Sequence, residues 1–413
     1  MSDEADRVVG TARQPSRPEV AAAVRATYAA FIGAGFVVAS FASRIPQVRD
    51  RLHLSPSGLG LVLLAAAVGS LTALPLGGTI IARLGTRRTV ATMVVVAAVG
   101  VATIALGYLV GVVPVLAGLF LLGFGNGAWD VAMNVHGADV ERHLTRAIMP
   151  KFHAGFSVGT VAGALVGAAM VALGVSVTVH LLLAAALVAA VLPVWVQRFL
   201  PDRAPAAGHD GSGVSARSSA LARWREPRTL LVGLVVLAFA FAEGAGADWI
   251  NVSLIDGYGA AAAVGGLGFA TFLAAMTAAR WFGSPLLDRF GRVVVVRSLA
   301  AVAILGVLVF VFSPSLPVAF LGAALWGVGA SLGFPVGMSA ASDEPDAAAG
   351  RVSVVASIGY VAFLGGPPLV GFLGDHVTVL RALLAVAVLL GVAITITPAM
   401  RPLRQDGEND LAQ

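Results

Sequence analysis

Long apolar runs and short polar breaks alternate along the whole chain. Twelve runs stand out, at about 24–43, 59–82, 90–110, 114–134, 153–174, 177–196, 230–249, 265–287, 293–312, 317–339, 353–373 and 379–399. A bilayer core about 30 Å thick takes about 20 residues of α-helix, so each run predicts one membrane-spanning helix. Nowhere does the two-residue alternation of a half-buried strand compete with that pattern. The longest polar break is central, at 197–229, and carries Arg198, Arg203, Arg217, Arg223, Arg225 and Arg228. It divides the chain into an N-terminal tail (1–23), a six-helix half (24–196), a linker (197–229), a second six-helix half (230–399) and a C-terminal tail (400–413). The predicted class is an all-α integral membrane protein of twelve transmembrane helices in two pseudo-symmetric halves.

Composition agrees with a membrane solvent. Of the 413 residues 58% are hydrophobic and 12% charged, against about 25% charged in soluble domains. The 49 glycines suit helices that pack closely in lipid through small residues. A net charge of +5 raises the question of nucleic acid, but lysine occurs once, at Lys151, and the arginines are scattered between apolar runs. With the N-terminus inside, the inner segments collect 22 of the 27 Lys+Arg, while Arg44, Arg49, Arg51 and Arg381 fall outside and Arg280 lies within a helix. That bias predicts a multi-pass membrane protein with both termini cytoplasmic. Residues 1–23 lack the apolar core of a cleaved signal, so the first helix is expected to stay in the bilayer.

The two halves also repeat each other. Gly78-Thr-Ile-Ile-Ala82-Arg83-Leu-Gly85-Thr-Arg87 follows the second run, and Ser284-Pro-Leu-Leu-Asp288-Arg289-Phe-Gly291-Arg292 follows the eighth, 206 positions later. Gly123-Phe-Gly125 in the fourth run matches Gly327-Val-Gly329 in the tenth at a shift of 204. Two matches at nearly one offset, at the same helix number in each half, describe a duplicated transporter with its site expected near the midplane between the halves.

In these features the sequence resembles the major facilitator superfamily over residues 24–399. The family signature G-x-x-x-D-R-x-G-R-R is matched by the two stretches just quoted. The first keeps its glycine but has Ala82 for the acid; the second has Ser284 for the glycine and keeps Asp288. The resemblance implies a cytoplasmic gate made from Arg83, Gly85, Arg87 and Arg88 on one side and Asp288, Arg289, Gly291 and Arg292 on the other, with the latching acid at Asp288 alone. Further runs are similar to a bacterial branch that includes a rhizopine-cluster membrane protein: Ala42-Ser-Arg44-Ile-Pro46, Asn126-Gly-Ala-Trp-Asp130-Val-Ala-Met-Asn134, Phe152-His153 with Phe156-Ser157, and Glu243-Gly-Ala-Gly-Ala-Asp248-Trp249. The drug–proton antiporter pattern is largely missing. Leu119 stands where those proteins have an arginine, and Gly155, Gly159, Gly163 and Gly167 recur without a Gly-Pro pair. Such a ladder reads as helix packing.

Ionisable groups inside the membrane cost about 2.5–3.5 kcal/mol each on insertion scales, so each is a candidate for function. Glu243 lies roughly 20 Å along the seventh helix, where an apolar setting suits a group that loads and releases a proton; the alternative is a protonated acid bonded to a neighbouring helix. Asn126, Asp130 and Asn134 recur at four-residue steps and give the fourth helix one polar face, which should turn to a cavity or another helix. Trp129 beside them could stack on a ligand or simply pack. Asp248 and Trp249 are read either as an interfacial acid with its aromatic anchor or as a group that orients substrate or forms an outer gate with Arg44. Arg280, about 12 Å inside the inner boundary, would snorkel, pair with Asp130 or Glu243, or bind an anionic group on a substrate.

The expected function is secondary active transport of a small polar or amphiphilic solute by alternating access, coupled to protons through Glu243 and Asp130. The expected substrate cavity holds Arg280, Asn126, Trp129, Asn134, Asp248, Trp249 and Arg44. Efflux of drugs or toxic metabolites is the first alternative, and a non-transporting membrane receptor the second. No G-x-x-x-x-G-K-[ST] loop is present, so ATP is not the expected energy source. With no cysteine, and with His153 and His180 isolated at helix ends, neither a metal site nor a thiol nucleophile is expected. No cofactor beyond the proton gradient, no enzymatic activity, no nucleic-acid partner and a monomer in the bilayer complete the expectation.

Overall fold

Every apolar run becomes a helix, and most run longer than hydropathy alone marks. The computed structural model describes residues 15–144, 148–202 and 223–402; most of the 197–229 linker and the far ends of both tails lie outside the described residues. Within them the chain forms α1 (Arg17–Ala42), α2 (Ile45–Arg51), α3 (Pro56–Gly107), α4 (Val112–Leu144), α5 (Met149–Ala172) and α6 (Val177–Trp195). The second half contains α7 (Pro227–Tyr258), α8 (Ala262–Phe282), α9 (Ser284–Phe312), α10 (Leu316–Ala330), α11 (Gly333–Ala341), α12 (Pro345–Val377), α13 (Val379–Ala382) and α14 (Leu384–Ile396). Serines at polar breaks start several of them. Ser16 and Glu19 form a reciprocal capping box on α1, and the Ser55 and Ser176 hydroxyls accept from the first turns of α3 and α6.

Eleven helices among the described residues are long and apolar enough to cross a bilayer. One of them, α3, has 52 residues, about 78 Å at 1.5 Å per residue, more than twice the hydrocarbon core. It breaks at Gly85 (φ 77°, ψ 163°), which makes it two spans and restores the twelve expected. In α9 the same break recurs at Gly291 (φ 75°, ψ 163°), 206 positions on. That backbone region is open essentially to glycine alone, so the internal repeat is carried by matching geometry as well as by letters. Two predicted runs are interrupted. The tenth stops at Ala330 and restarts at Gly333, and the twelfth is divided at Leu383.

Within each half the helices approach until backbone meets backbone. A Cβ on Gly159 or Gly163 would collide with the carbonyl oxygen of Ile32 or Phe36, and one on Gly35 with that of Phe156. The glycine ladder of α5 is therefore the surface on which α1 lies. The halves meet along two seams, α3 against α12 and α5 against α8.

The end of the bundle carrying the Gly85 and Gly291 breaks is the inner end in the sense that the arginine bias predicts, and the opposite end is the outer one. Polar contacts cross between the halves at the outer end. Arg49 grips Asp256 with both guanidinium nitrogens, Nη2 to Oδ1 at 2.9 Å and Nη1 to Oδ2. Asn251 Nδ2 donates to the carbonyl of Ser43 (3.1 Å), and the Ser57 amide to Asp375 (3.3 Å). Backbones touch there too, since a Cβ on Gly60 would strike the Pro367 carbonyl and one on Gly371 the Pro56 carbonyl.

At the inner end the ion pairs seen among the described residues stay within one half. Asp202, just past α6, accepts from the Thr86 amide (3.0 Å) and hydroxyl (2.6 Å), and Arg87 donates to the Gln197 carbonyl (3.3 Å). In the second half Asp343 accepts from Arg292 (2.5 Å) and Arg228 (2.6 Å). Glu226 accepts from Arg351 (2.7 Å) and Thr229 (2.8 Å) and pairs with Arg223. Burial pushes the Glu226 carboxyl up, but these donors outweigh it and hold its pKa at about 2. The expected gate groups are not joined across the seam. Arg83, Arg87, Arg88, Asp288 and Arg289 are exposed, and Asp288 has no hydrogen-bond or ion-pair partner among the described residues.

Candidate functional site

Beneath the outer contacts lies a cavity of about 480 Å³ whose wall draws on α1, α3, α4 and α5 from one half and α7, α8 and α12 from the other. Most of that wall is apolar, with Phe41, Phe156, Phe269 and Phe363 the largest apolar side chains. Set into it are Ser70, Asn126, Asp130, Ser157, Thr160, Glu243, Asp248, Arg280 and Tyr360. A few polar groups converging in an apolar concavity between domains is the usual form of a small-molecule site.

The charged groups are placed by helix geometry. Glu243 on α7 and Arg280 on α8 pair at 2.6 Å, each side chain about a quarter exposed (25% and 26%). Arg280 Nε also donates to the Ser331 carbonyl at 2.9 Å. That carbonyl is available because α10 ends at Ala330 and the helix resumes only at Gly333. The interruption of the tenth span thus supplies the second point that fixes the arginine. Of the two acids expected as partners for Arg280, the structure selects Glu243.

Asp130 faces the same cavity from the other half. Four residues on, Asn134 turns back and donates from Nδ2 to the Asp130 carboxylate (3.1 Å) and carbonyl (2.8 Å). This follows from the four-residue polar spacing on α4, where successive members share a face. Asn134 therefore orients Asp130 and is not itself part of the wall. Asn126 is on the wall, and its Oδ1 is buried without a hydrogen-bond partner. Asp248 also lines the cavity, five residues beyond Glu243 on α7.

Besides Asn134, three more expected cavity residues lie elsewhere. Arg44 is 2% exposed and does not reach Asp248; its Nε donates to His180 Nδ1 (2.8 Å) and its Nη2 to the Val175 carbonyl (3.1 Å). His180, which looked isolated in the sequence, is the acceptor that seats this arginine. Trp129 and Trp249 are fully buried between helices, away from the cavity wall. Each sits one position after or before a wall residue, and 100° of helical rotation is enough to turn a side chain from cavity to core. Reading the sequence missed Ser70, Thr160 and Tyr360 on the wall. It also counted Arg49 only as a charge, when the nearest signal was an acid, Asp256, closing the seventh helix on the side that carries Arg49.

Comparison with known proteins agrees with this architecture. The Major Facilitator Superfamily model matches residues 27–252. An uncharacterized transporter, y4wD, of Sinorhizobium fredii is 31% identical over 381 residues, spanning 91% of this chain and 98% of the relative. Membrane protein MosC of Rhizobium meliloti is 27% identical over 377 residues, spanning 91% of this chain and 89% of MosC. Among solved structures, a bacterial homologue of the human lysosomal transporter Spinster, inward-facing and unoccupied, superposes with a TM-score of 0.77 at 14% identity. The match covers 94% of this chain and 98% of the other and shows a shared fold.

Proposed function

The chain belongs to the Major Facilitator Superfamily, and we propose that it is a proton-coupled secondary transporter moving a small polar or amphiphilic solute by alternating access across a bacterial cytoplasmic membrane. One observation carries the reading. One cavity between the halves holds Asp130 from one and the Glu243–Arg280 pair from the other, below cross-half polar contacts that, among the described residues, lie at one end. With both termini cytoplasmic, as the arginine bias predicts, that geometry is an inward-open state sealed by Arg49–Asp256, Asn251–Ser43 and Ser57–Asp375.

In this reading a proton reaching Glu243 releases Arg280, leaving it tied only to the Ser331 carbonyl and free to follow a solute or Asp130. Asp130, steadied by Asn134, is the second proton site. Rocking of one half against the other would break the outer contacts and bring Asp288 and the arginine-rich turns together at the inner end. Uptake into proteoliposomes under imposed proton gradients tests the coupling. The pH dependence should flatten in Glu243→Gln and in Asp130→Asn, and a profile unchanged in both refutes the assignment. The phenylalanines on the wall favour efflux of an amphiphilic compound as a second reading, for which deletion of the gene should raise susceptibility to such compounds.

A further inference from the structure

The cavity carries unequal charge. Its wall presents three carboxyl groups, Asp130, Glu243 and Asp248, and one guanidinium, Arg280. That guanidinium is already committed, at 2.6 Å to Glu243 and 2.9 Å to the Ser331 carbonyl. Asp130 has only the neutral amide of Asn134. Asp248 has no hydrogen-bond donor or cation at all among the described residues, although it points into the space where a solute would lie. Two carboxyl groups, one from each half, are therefore left without a counter-charge in a largely apolar enclosure. Such groups are completed by a proton or by a cation.

Hydrogen-bonding capacity points the same way. The Ser157 and Thr160 hydroxyls spend their protons on carbonyls of their own helix, those of His153 (3.4 Å) and Ser157 (2.7 Å). Toward the cavity they offer lone pairs. Ser70, Asn126 and Tyr360 each add both an acceptor and a donor to the wall, and the two oxygens of Asp248 tip the balance. The free valence of the wall is weighted to acceptors, so it fits a ligand rich in donors. An ammonium brings three donors and a positive charge together. An anionic solute would instead have to take Arg280 from Glu243 and leave a third acid bare.

We propose that the solute carries a protonated amine, seated on Asp248, with its hydroxyl or amide groups turned toward Asn126, Ser157 and Thr160. The assignment rests on the transporter reading above and names its substrate class. Solute ammonium and proton would then compete for the Asp248 carboxylate, while Asp130 on α4, Glu243 on α7, Arg280 on α8 and Tyr360 on α12 are the other ionisable groups facing the cavity. His153 on α5 lies within electrostatic range of Arg280.

The test is protection of Asp248 from an apolar carbodiimide in the full-length protein reconstituted in lipid, read by peptide mass spectrometry. The probes are matched sets of two sizes: ethanolamine, ethylene glycol and glycolate, then glucosamine, glucose and gluconate. The amine of each set should protect Asp248 at about tenfold lower concentration than its hydroxyl counterpart, the effect of one charge-assisted hydrogen bond. Amines that protect no better than their neutral partners, or an acid that protects best, overturn the proposal. Asp248→Asn should abolish amine-induced thermal stabilisation while Asp248→Glu keeps it, and equal stabilisation of wild type and Asp248→Asn counts against the seat. Solute counterflow in the same liposomes separates the two readings. Counterflow of a neutral solute without amine protection discards the amine and keeps transport, whereas protection with no counterflow of any probe keeps the seat and discards transport.

Discussion

If the outer contacts hold the halves together, weakening Arg49–Asp256 should open the outer side by a calculable amount. Arg49 is 11% exposed in its side chain and Asp256 41%, between the surface and buried limits for ion pairs. Exposed pairs contribute about 0.2–1 kcal/mol, and truncating one partner of a buried pair costs about 2–5 kcal/mol. Asp50 also accepts from Arg49 at 2.6 Å, so Asp256→Asn does not orphan the guanidinium. A loss of about 1–2 kcal/mol follows, which multiplies the outward-open population about 5–30-fold. The chain contains no cysteine, so Ala247→Cys on the cavity wall introduces a unique thiol. Its labelling by an impermeant maleimide added outside should speed up by that factor in the Asp256→Asn background. Arg49→Met should do at least as much, and the double variant clearly less than the two singles combined if they act on one contact. An unchanged rate with intact folding would refute the latch.

Other expectations follow from the same geometry. Gly85→Ala and Gly291→Ala should each destabilise by about 1–3 kcal/mol because alanine is strained at these dihedrals. Gly85→Ala should cost more, since its Cβ would meet the Asp202 carboxylate while that at Gly291 meets nothing; thermal unfolding of the two variants in detergent gives the order. The Glu226 carboxyl is held at about 2, below its ordinary 4.5. Its stabilisation should be complete above the ordinary value and fade as pH falls from about 4.5 toward 2. Thermal melts of wild type and Glu226→Gln should therefore converge across that window. Removing either member of Glu243–Arg280 strands the other, so Glu243→Gln or Arg280→Gln should lower stability by about 1–3 kcal/mol. The double variant should regain part of that loss in the same melts.

The spans could be read from the sequence because the bilayer imposes its own thickness: runs of about 20 apolar residues have few other uses. The duplication could be read because glycine is almost irreplaceable at the Gly85 and Gly291 dihedrals, so the letters survived with the geometry. Buried charge marked Asp130, Glu243 and Arg280 for the same energetic reason. What escaped was rotation and distance. The wall takes Asp130 and leaves Trp129 in the packing beside it, a difference of one residue that depends on which neighbours surround α4. Arg44 finds its acceptor in His180, 136 positions away, and Arg49 finds Asp256 across 207; spacing along one helix encodes neither. The break at Ser331 was hidden because apolar residues run through it without interruption.

The anchoring of Asp202 on the Gly85 turn has a consequence for the chain as a polymer. Asp202 ties the end of the first half to α3, and Arg223 with Glu226 ties the start of the second half to Arg351 on α12. Between these moorings about 20 residues remain, a contour of about 70 Å at full extension. A stretch of that contour could reach more than twice the thickness of the bilayer core. Its contribution is to keep the two halves at high local concentration, so cutting it would change how often they find each other and leave how they fit untouched. Two co-expressed fragments severed between residues 203 and 222 should therefore reassemble into a working bundle, because each keeps its own mooring.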